Sequence, residues 1–391
     1  MSWNAEWDAL WPVGRYARTG GYRRYVWTPE EAECREWFTG AARARGMATE
    51  TDRNGNLWAW WGDPDAGNAL VTGSHLDSVP DGGAYDGPLG VVSAFAAVDG
   101  LRARGIEPDR PLAVVAFADE EGARFGIACA GSRLMTGMLD ADRARGLRGD
   151  DGLTMAEAMT AAGHDPRHVG PEPERVARIG HFIELHVEQG RGLIDLGHPV
   201  GVASEIWPHG RWRFTFDGEA NHAGTTRLED RNDPMLPYAQ AVIAARGAAH
   251  EHGCVATFGR VQVQPNGTNA IPEQVTAWLD ARGPVDTDVR QVIEDLADAG
   301  AAITEESWTD RTPFDPQLTG QLAQALGGVP VLPSGAGHDA GILSAAGVPT
   351  AMLFVRNPTG VSHAPSEFAE DDDCATGVEA LTDVLARLAV A

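Results

Sequence analysis

Short apolar runs that stop at an acid or an imidazole recur along this chain, and they restrict its fold more tightly than any other feature. Ala69 to Gly73 (ALVTG) and Pro111 to Ala118 (PLAVVAFA) read as buried strands on either side of a helical stretch at Leu89 to Arg104. Runs of this length, bounded by turn residues, suit strands covered on both faces. The order returns near the C-terminus, where His338 to Ala346 reads as helix, Pro349 to Val355 as strand and Gly377 to Val390 as a closing helix. Both stretches fit one α/β sheet with helices layered on it. Between them Arg211 to Phe216 alternates, Pro234 to His252 is helical, Thr257 to Val263 and Val275 to Asp280 are strand-like, Asp286 to Asp298 is helical and Ala302 to Glu306 is a further strand. That β-α-β-β-α-β order predicts a small inserted sandwich. The expected organisation is a discontinuous main domain over 1–209 and 325–391 around an insertion at 210–324. Ligand sites favour the cleft between such parts.

Composition removes several classes of chemistry. All 31 Lys+Arg positions are arginine, which excludes lysine-bearing phosphate loops and Schiff-base catalysis. The net charge of −25 repels phosphate backbones, so nucleic acid is not an expected partner. No apolar run approaches the ~18 residues of a membrane span. The start, MSWNAEWDAL, has two acids and no basic segment, so neither membrane nor export signal is expected and the protein reads as cytoplasmic. Cys34, Cys129, Cys254 and Cys374 stand far apart and are expected to be isolated buried thiols. The acidic cluster Glu370 to Asp373 is expected to be a solvated helix start.

Five segments place metal-type ligands at strand ends or in the loops after them: Ser74-His75-Leu76-Asp77, Tyr85-Asp86-Gly87, Asp119-Glu120-Glu121-Gly122, Glu184-Leu185-His186 and Ser362-His363-Ala364. Loops at the carboxyl ends of strands converge in an open α/β sheet, so residues distant in sequence can meet there. A mixture of imidazoles and carboxylates suits Zn²⁺, with Mn²⁺ or Co²⁺ close behind, better than Ca²⁺ or Mg²⁺. Any one of these segments alone is as readily a structural histidine or a solvated helix start. The Glu120-Glu121 pair, however, directly follows an apolar strand, where unpaired carboxylates are costly and want a cation. His181 and His186 must point to opposite faces of one strand, which leaves Glu184 and His186 facing inward together.

The stretches TGSHLDSVPDGGAYDGPLGV, FADEEGARFG, FIELHVEQG, GEANHAGTT, PNGTNAIP, SGAGHDAG and GVSHAPSEF resemble the di-metal amidohydrolase family of allantoate amidohydrolases, N-carbamoyl-L-amino-acid hydrolases and β-ureidopropionases. That family is a branch of the aminoacylase and carboxypeptidase metallohydrolase superfamily. The resemblance implies a metallopeptidase-like α/β/α catalytic domain with an inserted ferredoxin-like α+β lid that dimerises. It implies His75, Asp86 and His186 as ligands of one divalent ion and Asp86, Glu121 and His363 as ligands of the other. Glu120 matches the general base, and Asp77 matches the carboxylate that orients His75. Two ions about 3.5–4 Å apart would polarise a bridging water and clamp the carbonyl. His222 matches a residue that crosses the dimer to polarise the scissile carbonyl. Asn269, Arg282 and Arg211 match substrate-binding positions, with guanidinium forks suited to a carboxylate; Gln189 and the backbone at Gly337 are further contacts. Without the resemblance, Arg211 and Arg282 would read as surface ion pairs.

The activity this implies is hydrolysis of the C–N bond of a small carboxylated ureido substrate, allantoate or an N-carbamoyl-L-amino acid, by a homodimer. N-formyl or N-formimino amino acids fit the same grip, and an N-acyl aminoacylase or exopeptidase of the superfamily is the other alternative. His186 argues against the latter, because peptidase branches usually carry a carboxylate there. A silent binding protein would have lost a ligand or the base, and none is missing. The chain departs from the family pattern at Thr226-Arg227-Leu228, at Arg356 and at Ile206-Trp207-Pro208-His209, which bears on the substrate and not on the metals.

Overall fold

Every residue of Ala69–His75 and Leu112–Phe117 is buried, as strands covered on both faces must be. The computed structural model describes residues 3–390. In chain order its strands are β1 (Ala48–Thr51), β2 (Leu57–Trp61), β3 (Ala69–His75), β4 (Leu112–Phe117), β5 (Ile179–Val187), β6 (Val200–Ile206), β7 (His209–Asp217), β8 (Asn221–His222), β9 (Val255–Gln264), β10 (Ala270–Ile271), β11 (Gln274–Arg282), β12 (Ala302–Thr309), β13 (Thr312–Pro313), β14 (Val331–Ser334) and β15 (Thr350–Val355). A nine-stranded mixed sheet runs β1-β2-β4-β3-β5-β15-β6-β13, with β14 also on β6. Its centre, β4-β3-β5-β15, is parallel throughout, so four adjacent strands deliver their carboxyl ends to one edge.

The helix Pro88–Ala103 is apolar on nearly all sides because it lies between the sheet and the closing helix Asp371–Ala389. Pro88 at its first turn is preset for helix and lacks an N–H that would go unbonded there. Phe38, Leu89, Phe95, Val114, Leu185, Leu353 and Leu381 join one core. The closing helix begins at Asp371, six residues ahead of the expected start, and its acids are not all solvated. Asp373 is buried and receives both arms of Arg356, at 2.7 and 2.8 Å.

The chain divides into two compact units, one reaching Glu205 and resuming at Pro313, the other Ile206–Thr312. The division falls short of residue 324 because Leu318, Leu322 and Ala323 of the helix Pro316–Ala325 pack into the larger unit's core. The smaller unit holds the antiparallel sheet β12-β7-β11-β9, with helices Met235–Glu251 and Asp286–Glu294. Its order is the expected β-α-β-β-α-β. Trp212, Phe214, Phe216, Val275 and Leu279 line its core, and the alternate residues of β7 and β11 form the opposite face. Among the described residues no helix is long and apolar enough to cross a membrane. Cys34, Cys129 and Cys374 are buried free thiols, as expected, while Cys254 is half-buried.

Candidate metal centre

Five sequence segments meet where the parallel strands end. His75 is the last residue of β3 and His186 the penultimate residue of β5. Glu120 and Glu121 follow β4, and His363 lies in the loop after β15. Asp86 stands in the turn before the helix Pro88–Ala103 and is the hub. Its Oδ1 is 3.5 Å from His75 Nε2 and 3.3 Å from His186 Nε2. Its Oδ2 is 3.3 Å from His363 Nε2, which is in turn 3.5 Å from Glu121 Oε2. Two ligand triads therefore share one carboxylate, His75-Asp86-His186 and Asp86-Glu121-His363.

The donor chemistry fits a cation at each triad. His75 Nε2, His186 Nε2 and Glu121 Oε1 are buried without a hydrogen-bond partner among the described residues, although buried polar atoms are normally satisfied. The Nδ1–H of His186 donates to the Val187 carbonyl at 2.8 Å, and that of His75 donates to the Asp77 carbonyl at 3.1 Å. Each bond fixes the tautomer that leaves Nε2 as a lone-pair ligand. Gly87 completes the fit: a Cβ there would stand 2.4–2.6 Å from the His75 ring.

The charges are strongly coupled. Burial would raise Asp86, yet the imidazoles of His186, His363 and His75 outweigh it and hold the carboxyl well below the usual range. Burial lowers His363, but Asp86 and Glu121 prevail and lift it to about 9. Burial, with Asp86 nearby, pushes Glu121 up to about 7. Burial also drives Glu120 well above the ordinary value against the pull of His75. Glu120 Oε2 lies 3.7 Å from His75 Nε2, beside the triads and in neither.

Asp77 lies beside His75 and also reaches the segment of the two glutamates. Its carboxylate accepts the N–H groups of Glu120 and Glu121 at 3.1 and 3.0 Å, and its Oδ1 is 3.5 Å from His75 Nδ1. The side chain thus fixes the Glu120-Glu121 backbone, while its carbonyl holds the imidazole. Gln189 donates to Asp86 Oδ2 at 2.7 Å. Gly337 precedes His338, whose ring centroid is 4.6 Å from that of His186. Glu184 faces inward as expected and accepts from Ser74 Oγ and the Ala340 N–H, at 2.6 and 3.1 Å. These bonds brace β5, while Glu184 also lies within a third group of possible ligands, with His186 and His338; His181 turns the other way, against Arg110. Glu367 escaped the sequence reading. Its Oε1 accepts from the backbone N–H of Tyr85 and Asp86 at 2.9 and 3.0 Å, and its Oε2 from Ser362 at 2.7 Å. It ties the Asp86 turn to the His363 loop. Its place in the motif GVSHAPSEF was the available signal.

The remaining candidates lie in the smaller unit. Arg282 forks onto Asp280 at 2.6 and 2.9 Å, and Arg211 reaches the same carboxylate at 3.4 Å. His209 pairs with Arg282 in the β7–β11 ladder. His222 and Asn269 are brought together at the β8–β10 ladder, where Asn269 O accepts from the Ala223 N–H at 3.0 Å. His222 Nδ1 accepts from the Gly224 and Thr225 amides at 2.9 and 3.2 Å. In the neutral ring the proton then sits on Nε2, an outward donor. Arg227 pairs locally with Asp230 at 2.7 Å, and Arg356 is committed to Asp373.

The family model of peptidase family M20/M25/M40 matches residues 71–387. An N-carbamoyl-L-amino acid amidohydrolase of Geobacillus stearothermophilus is 37% identical, over 98% of this chain and 98% of its own length. An allantoate amidohydrolase of Escherichia coli K12 is 33% identical, over 95% of this chain and 93% of its own. The crystal structure of an amidase of the hydantoinase/carbamoylase family from Burkholderia vietnamiensis superposes with a TM-score of 0.89 at 28% identity, covering 100% of this chain and 98% of that one. The chain belongs to peptidase family M20/M25/M40, in the amidohydrolase branch to which its motifs pointed.

Proposed function

We propose that the protein hydrolyses the C–N bond of a ureido group on an amino-acid-type carboxylate, an N-carbamoyl-L-amino acid or allantoate. The observation that carries this reading is the array of three imidazoles and Glu121 around the two oxygens of Asp86, with Glu120 beside it. The names of the relatives direct it to ureido compounds. His75, Asp86 and His186 would hold one divalent ion, and Asp86, Glu121 and His363 the other; the donor set suits Zn²⁺ and accepts Mn²⁺ or Co²⁺. Bound ions supply Lewis acidity toward the ureido carbonyl and water.

Glu120 takes the proton of the attacking water and passes it to the leaving nitrogen. An N-carbamoyl amino acid plus water then gives the amino acid, CO₂ and ammonia. Arg282, Arg211 and Asn269 receive the substrate carboxylate and its neighbours, with Gln189 and the Gly337 backbone as further contacts. The outward Nε2–H of His222 suits a developing oxyanion. On this reading the smaller unit also makes a homodimer in which His222 serves the partner's site. Leu236 and Ile243, 66% and 76% exposed on the helix Met235–Glu251, and the edge strand β9 support such a surface.

The test is ammonia release by the metal-loaded protein from allantoate, N-carbamoyl-L-amino acids and β-ureidopropionate, with N-formylglutamate followed by free amine. Ammonia from a ureido substrate is expected. Amine from the formyl compound without ammonia from any ureido substrate overturns the substrate assignment.

A further inference from the structure

We propose that Cys129 is a positioning residue for the general base: its S–H donates to Glu120 Oε1 and so holds Oε2 toward His75. The inference rests on Glu120 being the base. Cys129 Sγ lies 3.5 Å from Glu120 Oε1, within reach for sulfur. In the ionised form that acts as a base, Glu120 can only accept, so the thiol is the donor. Among the described residues no other hydrogen bond reaches this carboxylate, and the oxygen not held by sulfur is the one 3.7 Å from His75 Nε2. Both side chains are shielded, at 2% and 5% exposure, so solvent offers little competition for the bond.

The backbone enforces the meeting. The N–H groups of Cys129, Ala130 and Gly131 donate in turn to the carbonyls of Glu120, Asp119 and Ala118 at 2.6, 3.0 and 2.9 Å. These bonds lay the start of the helix Ala130–Thr136 along the segment that carries the base. Gly131 permits the approach, since a Cβ there would fall 2.7 Å from Ala118 O and 2.1 Å from Asn56 Oδ1. Cys129 itself holds a φ of 55° and Asp119 likewise 55°, a left-handed backbone that side-chain-bearing residues seldom adopt. Burial pushes the thiol well above its ordinary value, which keeps the proton on sulfur. A buried cysteine that merely fills space behaves as a small hydrophobe and would tolerate alanine without loss of turnover.

The experiment compares metal-loaded wild type, C129S, C129A and E120Q on the preferred ureido substrate. Loss of the bond frees the carboxylate to rotate, so C129A should lose about tenfold in kcat with KM and metal content unchanged. C129S, which keeps a donor, should stay within about threefold of wild type. In the infrared spectrum, the S–H stretch assigned by difference against C129A should lie below that of a free thiol and move up in E120Q. Wild-type kcat in C129A, equal losses in C129S and C129A, or an S–H stretch indifferent to E120Q each overturns the proposal. Full turnover by E120Q would overturn the base assignment, and the proposal with it, whatever the cysteine variants do. Absence of ureido hydrolysis in the wild type, with another C–N substrate turned over, would sink only the substrate reading, and the same comparison would run on that substrate.

Discussion

His363 is half open to solvent, yet its Nε2 stands between Asp86 and Glu121 at 3.3 and 3.5 Å. Without an ion those acids keep a proton on the ring up to about pH 9, and Glu121 titrates at about 7. A metal needs the neutral imidazole and the ionised carboxylate, so uptake must expel protons. Titrating chelator-stripped protein with Zn²⁺ at pH 7 in weak buffer should release about one proton or more per chain, fewer as the pH approaches 9, and the affinity should climb over the same range. Ion uptake at pH 7 without proton release would contradict this electrostatic picture. The sign for the metal-free fold is opposite: a raised histidine adds stability that is complete below its unfolded value and is lost as pH rises through about 9. Residue types at the strand ends marked five candidate segments, and the resemblance of the motifs picked the ligands out of them. Which oxygen does what was not legible. Asp77 stands 3.5 Å from His75 Nδ1, as a partner for it would, but the same carboxylate also accepts two backbone amides, a second task that no motif announced.

The turn at Asp86-Gly87 and the loop from Arg356 to His363 are elements whose work the motifs named only in part. Gly87 has a φ of 83°, and an added Cβ would come within 2.4 Å of His75 Cε1. The ring would have to leave its place beside Asp86. Gly87→Ala should therefore weaken metal binding by about tenfold or more, read by competition with a chromogenic chelator, with the circular dichroism spectrum unchanged. Unaltered affinity would mean that the ring can shift without cost to the site. Arg356 makes the opposite case. It departs from the family pattern just before the loop of His363, so it was open to substrate contact or to pairing with an acid, and its guanidinium meets buried Asp373 bidentately. Arg356→Ala strands that carboxylate and should cost about 2–3 kcal/mol of stability, measured by denaturant unfolding, while KM stays within about twofold of wild type. A raised KM at unchanged stability would return the residue to the substrate. Sequence could not decide this, because Asp373 reads as one of four solvated acids until the helix is seen to start at Asp371 and turn that residue inward.

At the scale of the molecule, alternating patterns revealed both sheets and the insertion, but not where the insertion ends. The helix Pro316–Ala325 is amphipathic and would suit either unit; Leu318 and Leu322 settle it by packing with Phe95 and Leu381 in one core. Nor did the pattern show β1 and β2 ahead of β3, although Leu57–Trp61 is nearly all buried. The proposed trans role of His222 belongs at this scale, and it has a test that needs no structure of the dimer. A protein with E120Q keeps His222, and one with H222A keeps Glu120; each alone should be nearly inactive. If every site draws Glu120 from one protomer and His222 from the other, a mixed dimer contains one site with both. Random reassortment of equal amounts makes half the dimers mixed, so co-refolding or co-expression should restore about a quarter of wild-type sites. If both groups act within one chain, each site in the mixed dimer lacks one of them and nothing is restored. Ile243→Asp should then break the recovery along with the dimer, by placing a charge on the exposed apolar stripe of the helix Met235–Glu251. Light scattering would show monomers in that variant, and full activity from those monomers would refute the shared site.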